Sequence, residues 1–244
     1  MSTTNNSSVP TRNIAGIPVA DTPLVRAALA FARERMTTDW GYNHVVRSWL
    51  FASLIVAKLP REQFGAADLE VVSIAALLHD LGFELGDTEL VSSDKRFEVD
   101  GANAARAFLA REAPDGWAGR KTQLVWDAIA LHTIGSIVFH KEPEVAACAF
   151  GIWADFQGPD RTVPPGLLSW EEYDRVVKEF PRHGLMAGLK GVMCGLCKTK
   201  PETTYDNTVG DWGDMFVEGY DRAGKLTRDL LLTCDLDGRE SRAT

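Results

Sequence analysis

The strongest constraint on this chain is a polar pair at the end of an apolar run. Leu69 to Leu78 contains a single charged residue, Glu70, and is followed at once by His79-Asp80 and then Gly82. Ten residues with apolar side chains on all sides read as a helix packed on several faces, at the centre of a fold. An ionised carboxylate at the end of such a helix costs several kcal/mol unless it is paired or bound to a cation. Imidazole beside carboxylate is a nitrogen and oxygen donor set suited to a divalent first-row ion. The alternative for His79-Asp80 is a hydrogen-bonded capping pair.

Helix signals extend along the rest of the chain. Thr22-Pro23 offers a cap and a first-turn proline, with Leu24, Val25, Ala28, Leu29 and Ala32 following at helical spacing. Further helices are expected over Tyr42–Lys58, Arg96–Arg111, Lys121–His132 and Pro143–Asp155. Three more are expected from Ser169 (a capping box), over Met186–Leu196 and over Asp211–Ala223. Strand signals are almost absent. The expected fold is all-α: a disordered lead at 1–20, one helical domain over 21–232 and a polar tail at 233–244.

A chain of 244 residues can bury a sizeable core as one domain. Its formal net charge of -8 argues against nucleic acid or an acidic membrane as partner. No apolar run approaches the ~20 residues that span a bilayer. Met1–Pro10 reads as a lead and not as a signal peptide. With four cysteines, Cys148, Cys194, Cys197 and Cys234, reduced thiols in a cytoplasmic setting are expected. Cys194-Gly-Leu-Cys197 lacks the further Cys or His residues that a zinc site of that type needs.

Two other residues extend the candidate donor set. His44 lies in the first turn of the second expected helix, and Asp155 ends the apolar stretch Val145–Ala154. Each has an ordinary reading as well, His44 as a satisfied core histidine and Asp155 as a solvent-facing carboxylate. Glu98, in the charged stretch Asp94–Asp100, reads equally as part of a solvated face. His132, ending an apolar helix, reads equally as a core or capping histidine.

The set His44, His79-Asp80 and Asp155 on successive helices resembles the HD-domain superfamily of metal-dependent hydrolases and lyases. The local motifs narrow the resemblance. Tyr42-Asn43-His44-x-x-Arg47, Leu77-Leu78-His79-Asp80, Phe97-Glu98-x-x-Gly101, Ala128-Ile129-x-x-His132 and Phe180-Pro181-Arg182-His183-Gly184 occur in that order, as in the fungal cyanamide hydratases. The similarity covers Leu24 to Pro201. It implies an HD fold with His44, His79, Asp80 and Asp155 as ligands of one divalent ion, Zn²⁺ first and Fe²⁺ as the alternative. It implies Glu98 and His132 beside Asp80 as catalytic groups, Glu98 being the first choice of proton shuttle. Phe97, Arg47 and Lys95 are the expected substrate-binding residues.

The implied activity is addition of water to cyanamide, giving urea, or to a related small nitrile-like compound. The implied partner is that small molecule, with homo-oligomer formation left open. The chain departs from the family pattern at Phe156-Gln157, where the relatives carry Asn-Val, and at Glu202–Tyr205, where they carry Trp-x-His-Thr after the shared Lys-Pro. Two rival readings stand beside this one: an HD phosphohydrolase acting on a nucleotide or phosphate ester, and a metal-stabilised interaction module.

Overall fold

The computed structural model describes residues 9–60, 62, 67–117, 119–162 and 165–233. They form two compact units, Met1–Gly188 and Leu189–Thr244. The first contains every candidate site residue. It begins with an antiparallel hairpin, β1 (Thr11–Ile14) and β2 (Ile17–Ala20), and continues through α1 (Pro23–Arg35), α2 (Asp39–Lys58) and α3 (Leu69–Leu78). Then come α4 (Phe97–Glu112), α5 (Gly119–Leu131), the short α6 (Gly135–Val138), α7 (Pro143–Gln157) and α8 (Trp170–Glu179). Helix α9 (Leu185–Thr199) starts in this unit and runs into the second, which adds α10 (Thr208–Phe216) and α11 (Thr227–Leu232).

The fold is helical, as the sequence implied, and α3 is its axis. Every residue from Val71 to Leu78 is buried, and the helix packs against α1, α2, α5, α7 and the hairpin. Asp68 starts it by accepting hydrogen bonds from the backbone N–H groups of Glu70 and Val71, which would otherwise lack partners. Among the described residues, no helix is long and apolar enough to cross a membrane.

The most extensive helix pairing is between α2 and α7, and a glycine sets how closely they approach. A Cβ on Gly151 of α7 would lie 2.4 Å from the Ser48 carbonyl oxygen and 2.5 Å from the Ala52 nitrogen, both backbone atoms of α2. Only hydrogen in place of a side chain lets the two backbones touch, and this contact lies one turn from His44 on α2 and one turn from Asp155 on α7.

The expectation of a disordered lead is corrected over residues 11–20. Ile17, Val19 and Ala20 are 1%, 1% and 2% exposed, so the hairpin contributes to the core. Its two-residue turn, Ala15-Gly16, has φ of 51° and 77°, the left-handed pair that matches the twist of a tight hairpin. Residues 1–8 and 234–244, with Cys234, lie outside the described residues. In the second unit the expected helix over Asp211–Ala223 is instead α10, ending at Phe216. Beyond it Arg222 pairs with Asp211 and Asp214. Cys197 donates its thiol to the Val209 carbonyl.

Gly151→Ala forces a methyl group against two backbone atoms. The expected cost is roughly 1–3 kcal/mol of stability, the usual range for overpacking, read as a lowered urea midpoint at unchanged slope. An unchanged midpoint would show that α2 and α7 can part without penalty.

Candidate metal centre

His44 projects from the first turns of α2, while His79 and Asp80 follow the last residue of α3. His44 Nε2 lies 3.3 Å from His79 Nε2 and 3.5 Å from Asp80 Oδ2, and His79 Nε2 lies 3.2 Å from that same oxygen. Metal–donor bonds of about 2.0–2.2 Å at tetrahedral to octahedral angles separate neighbouring donors by roughly 2.8–3.6 Å. The triangle therefore fits one divalent ion. All three residues are buried.

The imidazoles are aimed by their other nitrogen. His79 Nδ1 lies 2.8 Å from the Ala76 carbonyl oxygen, and His132 Nδ1 lies 2.7 Å from that of Ile129. Both contacts reach three residues back, to a carbonyl that the end of a helix leaves without an intrahelical partner. His44 Nδ1 lies 2.7 Å from Asp155 Oδ2. With each Nδ1–H committed to an oxygen, the lone pair sits on Nε2, the tautomer a metal ligand needs.

Asp155, the expected fourth donor, meets the cluster through His44. It is 0% exposed and lies on the Nδ1 side of His44. Its Oδ1 accepts from Arg47 Nε at 2.8 Å and from Arg182 Nη1 at 2.8 Å, and its Oδ2 accepts from Arg47 Nη2 at 2.8 Å. Burial alone would raise this carboxyl's pKa, but His44 and the Arg47 guanidinium hold it far below the usual carboxylate range. Arg47, expected to meet substrate, is also 0% exposed. Its Nη1 donates to the Phe180 and Pro181 carbonyls, so it braces the centre from behind.

His132 joins from the other side, with Nε2 3.8 Å from Asp80 Oδ1. Its ring meets His79 and Phe97 edge-on, at centroid distances of 5.0 and 5.6 Å. Burial pushes its pKa down to about 4, and His79 acts in the same direction. It is therefore neutral at pH 7, with Nε2 as a proton acceptor. His79 and Asp80 are coupled: burial opposes charge on both, yet the carboxylate holds the imidazole's pKa up and the imidazole holds the carboxyl's down.

Glu98 is 1% exposed and so is no part of a solvated face. It accepts from Arg96 Nε at 3.2 Å, from Arg96 Nη2 and from the Thr133 hydroxyl at 2.7 Å. Burial raises its pKa, but Arg96, His132 and Thr133 together hold it below the usual carboxylate range, so the group is an ionised carboxylate. Phe97 packs between Phe83 and His132. Lys95 stands apart. It is exposed, pairs with Asp94 and lines a surface cavity of about 340 Å³ that holds none of the metal-cluster residues.

Gly82 has a packing role. A Cβ there would lie 2.0 Å from the Phe97 carbonyl oxygen, so the turn after Asp80 rests directly on the first turn of α4. Sequence reasoning also gave no role to Arg182, whose only signal was its place in the Phe-Pro-Arg-His-Gly motif.

Residues 41–149 match the HD domain family model. An HD domain thus occupies this part of the chain. It takes in His44, Arg47, His79, Asp80, Glu98 and His132 and ends just short of Asp155. No curated protein matches the chain. The HD domain and the His-His-Asp cluster together point to a metal-dependent, hydrolase-type enzyme.

A divalent ion bound only by the folded chain stabilises it, by about 2.7 kcal/mol at a hundredfold excess over Kd. For a chain of this size that is a rise of roughly 5–10 °C in Tm. Chelator should remove the rise, and His79→Ala should abolish both the rise and the bound metal. Equal metal content in His79→Ala by elemental analysis would show that the ion binds elsewhere.

The depressed pKa values of Glu98 and Asp155 and the lowered value of His132 act with one sign. Between about pH 6.5 and 4 the unfolded chain protonates an ordinary histidine where the folded chain keeps His132 neutral. Below pH ~4 the unfolded chain protonates carboxylates that the folded chain still keeps ionised, so stability falls as pH falls. Chelator-treated protein is expected to show a urea midpoint that drops steeply below pH ~4, and Glu98→Gln to make that drop shallower. An equally steep drop in Glu98→Gln would mean that Glu98 titrates normally.

Proposed function

We propose that the chain is a metal-dependent hydro-lyase that adds water to cyanamide, giving urea, or to a related small nitrile-like compound. The observation that carries the reading is where the cations are. Arg47 and Arg182 both bind Asp155, and Arg96 binds Glu98. A phosphate ester brings charges that want bidentate guanidinium partners, and here those guanidiniums already balance buried carboxylates. A small uncharged substrate makes no such demand. The ordered motifs shared with the cyanamide hydratases support the same choice.

His44, His79 and Asp80 would hold the ion. A divalent ion there supplies Lewis acidity and lowers the pKa of water, to about 7 in favourable zinc sites. Asp155 keeps the proton on His44 Nδ1, and the Ala76 carbonyl does the same for His79, so both Nε2 atoms remain donors to the metal. His132 moves the proton: its neutral Nε2 faces Asp80 and can take a proton from attacking water and return it to the substrate nitrogen. General acid–base help of this kind contributes on the order of 10²–10⁴-fold. Glu98, held ionised, has its carboxylate oxygens taken up by Arg96 and Thr133. Through Thr133 it fixes the backbone beside His132, and this replaces its expected role as first proton shuttle. Phe97 covers the His132 ring and excludes water from it.

A second reading is kept on one observation. The Arg96 and Arg182 side chains are 30% and 27% exposed, so neither is sealed from solvent. A metal-dependent HD phosphohydrolase acting on a nucleotide or phosphate ester could use them.

Metal-loaded protein is expected to form urea from cyanamide and to release no phosphate from a nucleotide panel. His132→Gln is expected to lower kcat by roughly 10²–10⁴ with metal content kept, and Glu98→Gln to lower it less. Phosphate release without urea would establish the second reading. A larger loss in Glu98→Gln than in His132→Gln would return the proton shuttle to Glu98.

A further inference from the structure

One charged side chain reaches the centre from outside the matched HD span. Arg182 lies in the loop between α8 and α9, and its Nη1 donates to Asp155 Oδ1 at 2.8 Å and also to the Tyr173 hydroxyl. Tyr173, on α8, passes its own hydroxyl hydrogen to the Asp155 backbone carbonyl at 3.1 Å. The same loop is tied to α2, because the Pro181 carbonyl accepts from Arg47 Nη1 at 2.9 Å and from Asn43 Nδ2 at 3.2 Å. The Phe180 carbonyl accepts a further Arg47 bond at 3.1 Å.

These bonds have a geometric consequence. A carboxylate on a helix can still swing about its side-chain torsions. Arg47 grips Asp155 in two parallel bonds from α2, which fixes the carboxylate plane relative to that helix. Arg182 grips the Oδ1 atom from a second direction, from α8 and its following loop. With Oδ1 held on two sides, Oδ2 is left pointing at His44 Nδ1, and the Nε2 of that ring is left pointing at His79 and Asp80.

We infer that Arg182 is a positioning residue for the metal centre, acting through Asp155 to hold the His44 imidazole in its ligating orientation. The inference rests on the reading of His44, His79 and Asp80 as metal ligands, and it is independent of which substrate the enzyme takes. A loop that touches no ligand directly thereby controls the affinity of the ion, and substitutions that move the Phe180–Arg182 segment act on metal binding before they act on chemistry. Removing an outer partner of a ligating histidine typically costs 10–100-fold in metal affinity.

The test is titration of the full chain with Co²⁺, whose visible absorption reports ligand geometry, in competition with a chromogenic chelator. Wild type, Arg182→Gln, Arg182→Lys and Tyr173→Phe are compared, with Arg175→Gln on the same helix as Tyr173 as control. The expected result is a 10–100-fold weaker Co²⁺ affinity and an altered spectrum for Arg182→Gln. A partial return in Arg182→Lys, a smaller loss in Tyr173→Phe and no change in Arg175→Gln complete the expected pattern. A role confined to holding the loop would lower the thermal midpoint of chelator-treated protein yet leave Co²⁺ affinity and spectrum at their wild-type values, and that result overturns the inference. So does an Arg182→Gln variant that does not fold, if Tyr173→Phe folds and binds Co²⁺ as wild type does. If wild type itself binds no Co²⁺, the reading of the cluster as a metal site falls first and this inference with it.

Discussion

The buried carboxylate of Asp155 is the interaction on which the centre depends. It joins α7 to α2 through Arg47 and His44, and to the loop after α8 through Arg182. Removing a carboxylate and a guanidinium from water is expensive, and the penalty is offset only when every donor and acceptor finds a partner. Here each carboxylate oxygen accepts two hydrogen bonds, and Arg47 adds the two loop carbonyls. Losing Arg47 or Asp155 strands a buried charge. The Gly151 contact, one turn away on both helices, brings the α2 and α7 backbones together beside this network.

A second regularity governs the histidines. His79 and His132 each follow the last residue of a helix, and each sets Nδ1 against the carbonyl three residues earlier. One local device is used twice. It satisfies a carbonyl that the helix end leaves open and turns Nε2 outward from the helix. The Trp153 indole then donates to the His132 carbonyl at 2.9 Å, fixing that helix end against α7. Two segments with the same local chemistry thus present two imidazoles to one carboxylate, Asp80, from different sides.

Much of this was legible in the amino-acid order. The apolar run Leu69–Leu78 dictates a helix buried on all sides, and it is one. The polar pair that ends it falls on the metal cluster, because an apolar helix cannot leave such groups without partners. What escaped the sequence depends on distance in the chain or on pairwise choice. Asp155, a carboxylate ending an apolar helix, has no visible partner in sequence; its partners Arg47 and Arg182 lie far away in the chain. Glu98 sits in a stretch whose charge density suggests water, and only the fold shows that Phe97, Glu98 and Asp100 turn inward while Asp94 and Lys95 turn outward. The hairpin was hidden by its polar surroundings, although Ile14-Ala15-Gly16-Ile17 has the form of a two-residue turn between β-branched residues.

The contact beneath Asp80 has an evolutionary side. Gly82 lies against the Phe97 carbonyl with no side chain from either residue between them. The separation between the ligand-bearing turn and the start of α4 is therefore set by main chain alone. Side chains on that helix turn, Glu98 among them, can be exchanged without shifting the turn that carries Asp80. A scaffold of this kind can change which groups stand around its ion, and so which reaction it favours, while keeping the ion in place. Gly82 itself is closed to such drift.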